Sequence, residues 1–386
     1  MPPGKIGTIQ KEDYSNITEY ILNFSDIESD NNKDWVSFSD PSSIDKPDER
    51  KSLFENRVIK NFDDISDQDI NYPKENDWTS WRRTPLGFGY SPLKQVNKEN
   101  VQKLKLSWSL TMNEGSNQGT PLISQGVMFL THPGNMIQAL SAANGRLIWE
   151  YKYPYPKDSM LLGGPTKNIA MYKDKVFMAT YDAALIALDI RTGKLLWKNI
   201  KADYKDGYTH SSGPIIANGV VISGINGCER YIEDGCFITG HDPDSGKELW
   251  RTSTVALSED INGSSWGNTP DIFRAGSDTW IAGSYDPELN IFYIGTSQAK
   301  PWVAASRGMS PNDKALYTNS TLAMNPQTGK ILWFFQHIQG ETIDMEVGFE
   351  RILADIDDKK LLLTIGKDGI LWKLDREKGN FIDLKE

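Results

Sequence analysis

The stretch ALDIRTGKLLWKN at 187–199 decides how this chain is read. It holds a polar turn, a glycine, a lysine, two further residues and a tryptophan. Close variants recur as ALSAANGRLIWEY at 139–151, GHDPDSGKELWRT at 240–252 and AMNPQTGKILWFF at 323–335. The tryptophans Trp149, Trp197, Trp250 and Trp333 stand 48, 53 and 83 residues apart, and KLDREKGNF at 373–381 opens a fifth turn without its tryptophan. Between the turns run short segments such as KVFMATYDAALIALD at 175–189, whose alternation sends every second side chain inward. Glycine serves a turn that needs positive φ, and a bulky aromatic locks one sheet onto its neighbour. A period of roughly fifty residues with about four strands per unit is a propeller blade. The expectation is therefore an all-β propeller with about five blades present, in which these glycines and tryptophans are structural.

Composition agrees with a β architecture. The 386 residues include 12 Trp and 32 Gly, a balance typical of turn-rich sheets rather than helical bundles. The formal net charge of −10 is concentrated: residues 26–77 carry 15 Asp and Glu against 7 Lys and Arg, leaving the remainder nearly neutral. A nucleic-acid surface, which needs clustered Lys and Arg to neutralise phosphates, is not expected. No run approaches the ~18 apolar residues of a membrane span, and no signal peptide is evident in this chain. The two cysteines, Cys228 and Cys236, form neither CxxC nor CxxCH; they either bridge across a hairpin or sit as small buried hydrophobes. The four histidines are scattered singly, so no His-based metal or nucleophile site is expected.

Ahead of the repeats, Thr8 is placed to cap a helix with Glu12 and Asp13 in its first turn and Tyr14, Ile17, Ile21 and Phe24 near one face. Three segments follow from this reading: a short helix within 1–24, an acidic linker over 25–77 read as solvated or as an irregular wrap, and a propeller over 78–386.

The run FGYSPLKQVNKENVQKLKLSW (88–108), the TGKxLW turns and SYDPELNIFYIGTSQAKPW (284–302) together resemble the pyrroloquinoline-quinone-dependent alcohol dehydrogenases. The resemblance implies an eight-bladed propeller with the quinone in its axial funnel, stacked on a tryptophan and held by a calcium or lanthanide ion. It further implies alcohol or polyol oxidation, with an Asp removing the alcohol proton as hydride passes to the quinone. Carried over residue by residue, Glu229 in INGCERYIEDG looks like the metal-ligand Glu and Trp280 in SDTWIAGSYDP like the floor beneath the quinone. Gln298 in GTSQAKPW stands where the family has a ligand Asn. Asp344 in QHIQGETIDMEVGF matches the catalytic Asp, which also faces the metal, with Ile343 where a Trp ordinarily precedes it. Glu346 falls where lanthanide-using members have an additional Asp. Lys367 in TIGKDGILWKLDR matches the basic residue bonding a quinone oxygen, and Lys167 in GPTKNIA replaces an Arg that meets a quinone carboxylate. The resemblance implies Thr180 and Ser212 as hydroxyl partners for the cofactor; Gln118 in NQGTPL stands where the family has a quinone-binding Glu, and DSMLLGGPT where many members carry an adjacent Cys pair.

Family members are periplasmic and pass electrons to c-type cytochromes. The opening MPPGKIGTIQKEDYSNITEYIL looks like the end of a class I cytochrome c domain, with Met1 as a former axial ligand. Haem c then belongs to a longer parent chain carrying the CxxCH, and the missing blades to that same parent. The competing expectation is a non-catalytic propeller scaffold or a divergent inactive homologue.

Overall fold

The computed structural model describes residues 56–162, 164–228, 235–310 and 312–386; the expected N-terminal helix, Met1 and Glu229 lie outside the described residues. The chain divides into two compact units. In the smaller one the segment Leu93–Leu110 holds a 3-10 turn at Val101–Lys103. The larger comprises Asn56–Pro92 and Thr111–Glu386.

The larger unit contains five four-stranded antiparallel sheets in chain order. The first is β1 (Leu122–Ser124), β2 (Val127–His132), β3 (Met136–Ser141) and β4 (Leu147–Lys152). The second is β5 (Ala170–Tyr172), β6 (Lys175–Ala179), β7 (Ala184–Asp189) and β8 (Leu195–Ile200). The third is β9 (Ile215–Ala217), β10 (Val220–Ser223), β11 (Phe237–His241) and β12 (Glu248–Ser253). A two-stranded ladder of β13 (Ala275–Gly276) and β16 (Ala299–Lys300) accompanies the fourth sheet, made of β14 (Ser284–Asp286), β15 (Ile291–Gly295), β17 (Ser320–Met324) and β18 (Ile331–Gln336). The fifth is β19 (Ile352–Ile356), β20 (Lys359–Ile365), β21 (Leu371–Asp375) and β22 (Phe381–Lys385). Within each sheet successive strands pair as neighbours, and burial falls from the first strands to the fourth: β5 and β6 are buried throughout, whereas β8 alternates between exposed and half-buried. These are the blades of a β-propeller.

The repeated turn is where blades are fastened. Each joins the third strand of a blade to the fourth, with a register shift in the ladder just before it, as between Ala187 and Leu188 or Gly240 and His241. In the second blade Asp189 opens the turn by accepting from the Thr192 N–H and hydroxyl, and Gly193 closes it at φ +69°. A Cβ on Gly193 would lie 2.6 Å from the Trp149 ring of the preceding blade, so the ring packs flat on bare backbone. The same apposition joins Gly246 to Trp197, Gly329 to Trp250 and Gly379 to Trp333. Three of these rings also reach across with the indole N–H: Trp149 donates to the Ile190 carbonyl at 3.0 Å, Trp197 to Pro243 at 3.1 Å and Trp250 to Pro326 at 2.9 Å. The structural reading of the repeat thus acquires a mechanism, a head-to-tail seam of ring on glycine plus one hydrogen bond.

Of the two readings of the acidic segment, solvated linker or irregular wrap, its described part takes the second. Residues 56–77, assigned with 25–55 to an acidic linker, bury Ile59, Phe62, Ile65 and Ile70 against the first two sheets. Backbone bonds from Ile59 to Arg191 and from Ile65 to Lys173, each 2.9 Å, fix the strap, and Ser66 caps a short helix α1 (Asp67–Asn71). Apolar residues recur every third position from Ile59 to Ile65 while Asp63 and Asp64 face water, so acidic composition masked a packing face.

Candidate functional site

Antiparallel pairing sorts the connections into two sets. Segments entering the first strand of a blade, and links from the second strand to the third, lie at one end of every sheet; the Gly-Trp turns lie at the other. Every described site residue nominated from sequence falls in the first set. Gln118, Lys167, Ser212, Trp280, Asp344 and Glu346 precede first strands, and Thr180, Gln298 and Lys367 lie in links between second and third strands. Residues scattered over some 250 positions therefore share one face, although Glu229 itself is outside the described residues.

The geometry joins several of them. Lys367 Nζ lies 2.8 Å from Asp344 Oδ2 and 2.8 Å from Glu346 Oε2. Burial opposes the charge on Lys367, but the two carboxylates outweigh it and raise its pKa. Burial lifts the Glu346 carboxyl above the ordinary range; Lys367 pulls the other way, and the charges of Asp344 and Asp278 reinforce the rise. Asp344 adopts φ +65°, a left-handed conformation that Asp tolerates better than most residues. Its loop is held by Glu341, whose Oε1 accepts the N–H groups of Ile343 and Met345. The buried Arg351 guanidinium donates to the Val347 and Ser320 carbonyls at 2.8 and 3.2 Å, bracing the segment that carries Glu346; burial lowers its pKa to about 9.

A second group centres on Trp280, half-exposed after the buried run 274–279. Phe349 meets it edge-on at 5.1 Å between ring centroids, and Lys167 Nζ lies 5.2 Å from its ring centre. Lys167 donates to the Ser211 carbonyl at 3.3 Å, beside Ser212, and burial pushes its pKa down to about 8. Gln298 is buried, and its Oε1 has no hydrogen-bond partner among the described residues. An orphaned buried amide oxygen costs stability unless something accepts its lone pairs, and a hard cation does so.

Other nominated residues stand apart. The Thr180 hydroxyl donates to Asp182, and Gln118 is exposed with Nε2 on Ser116 Oγ at 3.3 Å; among the described residues neither directly contacts the Trp280 or Lys367 groups. The Ser212 hydroxyl donates to the Gly213 carbonyl at 3.4 Å. The histidines are each tied locally, His132 to Gln138, His210 to the Thr180 carbonyl, His241 to the Gly246 carbonyl and His337 to Thr321.

Sequence reading passed over Asp278. It is 3 % exposed, two residues before Trp280, and its Oδ1 accepts the Gly227 N–H at 2.9 Å and the Cys228 N–H at 3.4 Å. Cys228 and Cys236 form a disulfide, fully buried, which decides between the two alternatives left by their spacing. The bridged sulfurs and an Asp278 oxygen lie within 4.8 Å of one another, but a disulfide offers no thiolate to a metal.

An acidic and amide-lined face beside a partly open tryptophan, carried on propeller blades, defines a propeller of the quinoprotein type. The chain belongs to the family described as PQQ: glucose/ethanol/alcohol dehydrogenase, beta-propeller domain, whose model matches residues 78–383. It is 33 % identical over 331 residues to the quinohemoprotein alcohol dehydrogenase ADH-IIG of Pseudomonas putida, covering 80 % of this chain and 45 % of that one. It is 34 % identical over 319 residues to the quinoprotein alcohol dehydrogenase PedH of the same species, covering 77 % and 53 %. Among solved structures it is similar to a europium-containing methanol dehydrogenase, with TM-score 0.74, 26 % identity and coverage of 81 % of this chain and 58 % of that one. The chain spans about half the length of the curated relatives it matches.

Proposed function

We propose that this protein oxidises an alcohol or polyol with pyrroloquinoline quinone as hydride acceptor and a cation beside it, electrons passing onward to a c-type cytochrome in the periplasm. The observation that carries the reading is the convergence of Asp344, Glu346 and Lys367 in one ion cluster on the face that also bears Trp280, Lys167 and the unpartnered Gln298 Oε1. When bound, the quinone takes up the hydride and the cation polarises its carbonyl.

The chain's own residues supply the rest. Trp280 offers an aromatic floor, and Lys167 offers an ammonium to a carboxylate lying on it. Gln298, Glu346, Asp344 and Glu229 are oxygen donors suited to a hard cation. Asp344 takes the alcohol proton on Oδ1, since Oδ2 is held by Lys367 at 2.8 Å. Lys367 already lies between two carboxylates, so its ammonium is placed to donate to an oxygen arriving there. Glu346 adds a carboxylate that a trivalent ion exploits more than a divalent one, and similarity to a europium-containing methanol dehydrogenase supports a lanthanide alongside calcium.

The test is reconstitution with pyrroloquinoline quinone and either calcium or lanthanum, followed by dye-linked oxidation of primary alcohols. Asp344→Asn, which keeps an αL-tolerant residue, is expected to lower kcat by about 10²–10⁴-fold while quinone still binds. Absence of any quinone-dependent rate with either cation overturns the reading.

A further inference from the structure

Asp278 is a buried carboxylate on this face that the proposed chemistry does not use, and its contacts run to the neighbours of residues that it does. Oδ1 accepts the Gly227 and Cys228 N–H groups, immediately before Glu229. Oδ2 accepts the Ser297 hydroxyl at 3.2 Å, immediately before Gln298, and lies 3.3 Å from Lys300 Nζ. The main chain doubles the link: the Ser297 N–H donates to the Asp278 carbonyl and the Ser277 N–H to the Gln298 carbonyl, both at 2.9 Å. The Gly276 N–H donates to the Cys228 carbonyl at 3.0 Å, and the disulfide to Cys236 fixes that cysteine from the other side. One side chain therefore touches the segment leading to Glu229, the segment leading to Gln298, and its own segment leading to Trp280.

We propose that Asp278 is a positioning residue, a carboxylate that sets the Gln298 amide and the 227–228 backbone at the spacing a cation requires, without itself binding the cation. This rests on the reading above, in which Gln298 is a donor. An ionised carboxylate offers about four lone-pair sites, and here the Gly227, Cys228, Ser297 and Lys300 donors occupy them. A direct ligand would have to abandon one of those partners. Charge matters as well as shape: a neutral side chain could accept the backbone N–H groups but would leave Lys300, only 8 % exposed, with less opposing charge. Partners that orient ligands in this way commonly govern metal affinity by about 10–100-fold.

Terbium and calcium are the probes, titrated into the full chain without quinone and followed by tryptophan-sensitised terbium luminescence and by calcium competition. Asp278→Asn keeps an oxygen for the Gly227 and Cys228 N–H groups and removes the charge. It is expected to weaken terbium binding about 10–100-fold and to add a coordinated water in luminescence-lifetime measurements, as Gln298 swings off the ion. Ser297→Ala cuts only the Gln298 branch and is expected to give a smaller loss, about 3–10-fold, with thermal stability near wild type. Should Asp278→Asn fail to fold, Ser297→Ala alone decides the matter. Wild-type affinity and hydration in either folded variant overturn the positioning role and leave the proposed function standing. A wild-type protein that takes up neither cation overturns both.

Discussion

The seams between blades and the face that bears Trp280 are built from the same sheets on opposite principles. A seam is one device used four times, a tryptophan ring on a glycine of the next blade. The Trp280 face is used once and draws single residues from different blades. Loss at a seam is a loss of packing, whereas loss at the face leaves the fold in place and removes a charge or a donor. The distinction teaches which substitutions read out as stability and which as chemistry.

It is tested hardest at Trp149, which is fully buried. Trp149→Ala is expected to destabilise the protein by about 3–5 kcal/mol, measured by denaturant unfolding, because the cavity forms between two blades that cannot both collapse into it. An effect below about 1 kcal/mol would break the account of the seam.

On the face the expected effect is smaller and depends on pH. The pKa of Lys167 in the free protein is about 8, below its ordinary value, so above that pH it loses the charge that an anionic ligand needs. Quinone affinity, followed by tryptophan quenching, should fall about tenfold per pH unit above 8 until binding to the neutral form takes over. Lys167→Arg should flatten that slope, since arginine stays protonated throughout. The sign for stability is opposite. A lysine whose folded pKa is depressed destabilises the free fold while charged in both states, and the penalty is relieved as pH rises from about 8 toward the unfolded value.

The finest comparison is within the seams. Trp197 donates to the Pro243 carbonyl, but the buried Trp333 indole N–H has no partner among the described residues. Trp197→Phe should therefore cost about 1 kcal/mol more than Trp333→Phe, read from the same unfolding midpoints. Equal costs would mean that ring packing alone holds a seam.

The same contrast explains what was legible in the sequence. The seam could be read from 187–199 because repetition separates a structural residue from its background, and the five sheets appear where the turns placed them. Trp280, Lys367, Asp344 and Glu346 were reached through family resemblance; nothing in their local spacing announces an ion cluster. Asp278 stayed hidden in SDTW because its partners lie 19 to 51 residues away and a lone Asp before a Trp carries no pattern. The strap from Ile59 to Ile70 is only half legible, as a wrap and not as a packed one, because its charges outnumber its apolar residues and only their threefold spacing betrays the buried side.

The seams also have a metrological consequence. Lys167 leads into the second blade and Lys367 lies in the fifth, so three ring-on-glycine joints stand between them, and each sets the pitch of the next sheet. Errors in such a stack accumulate as tolerances do in a train of machined parts. A displacement of about 1 Å at reacting atoms costs on the order of a hundredfold in rate. Under the proposed function, a joint on the far face, touching neither substrate nor cofactor, would work as a gauge block for the chemistry.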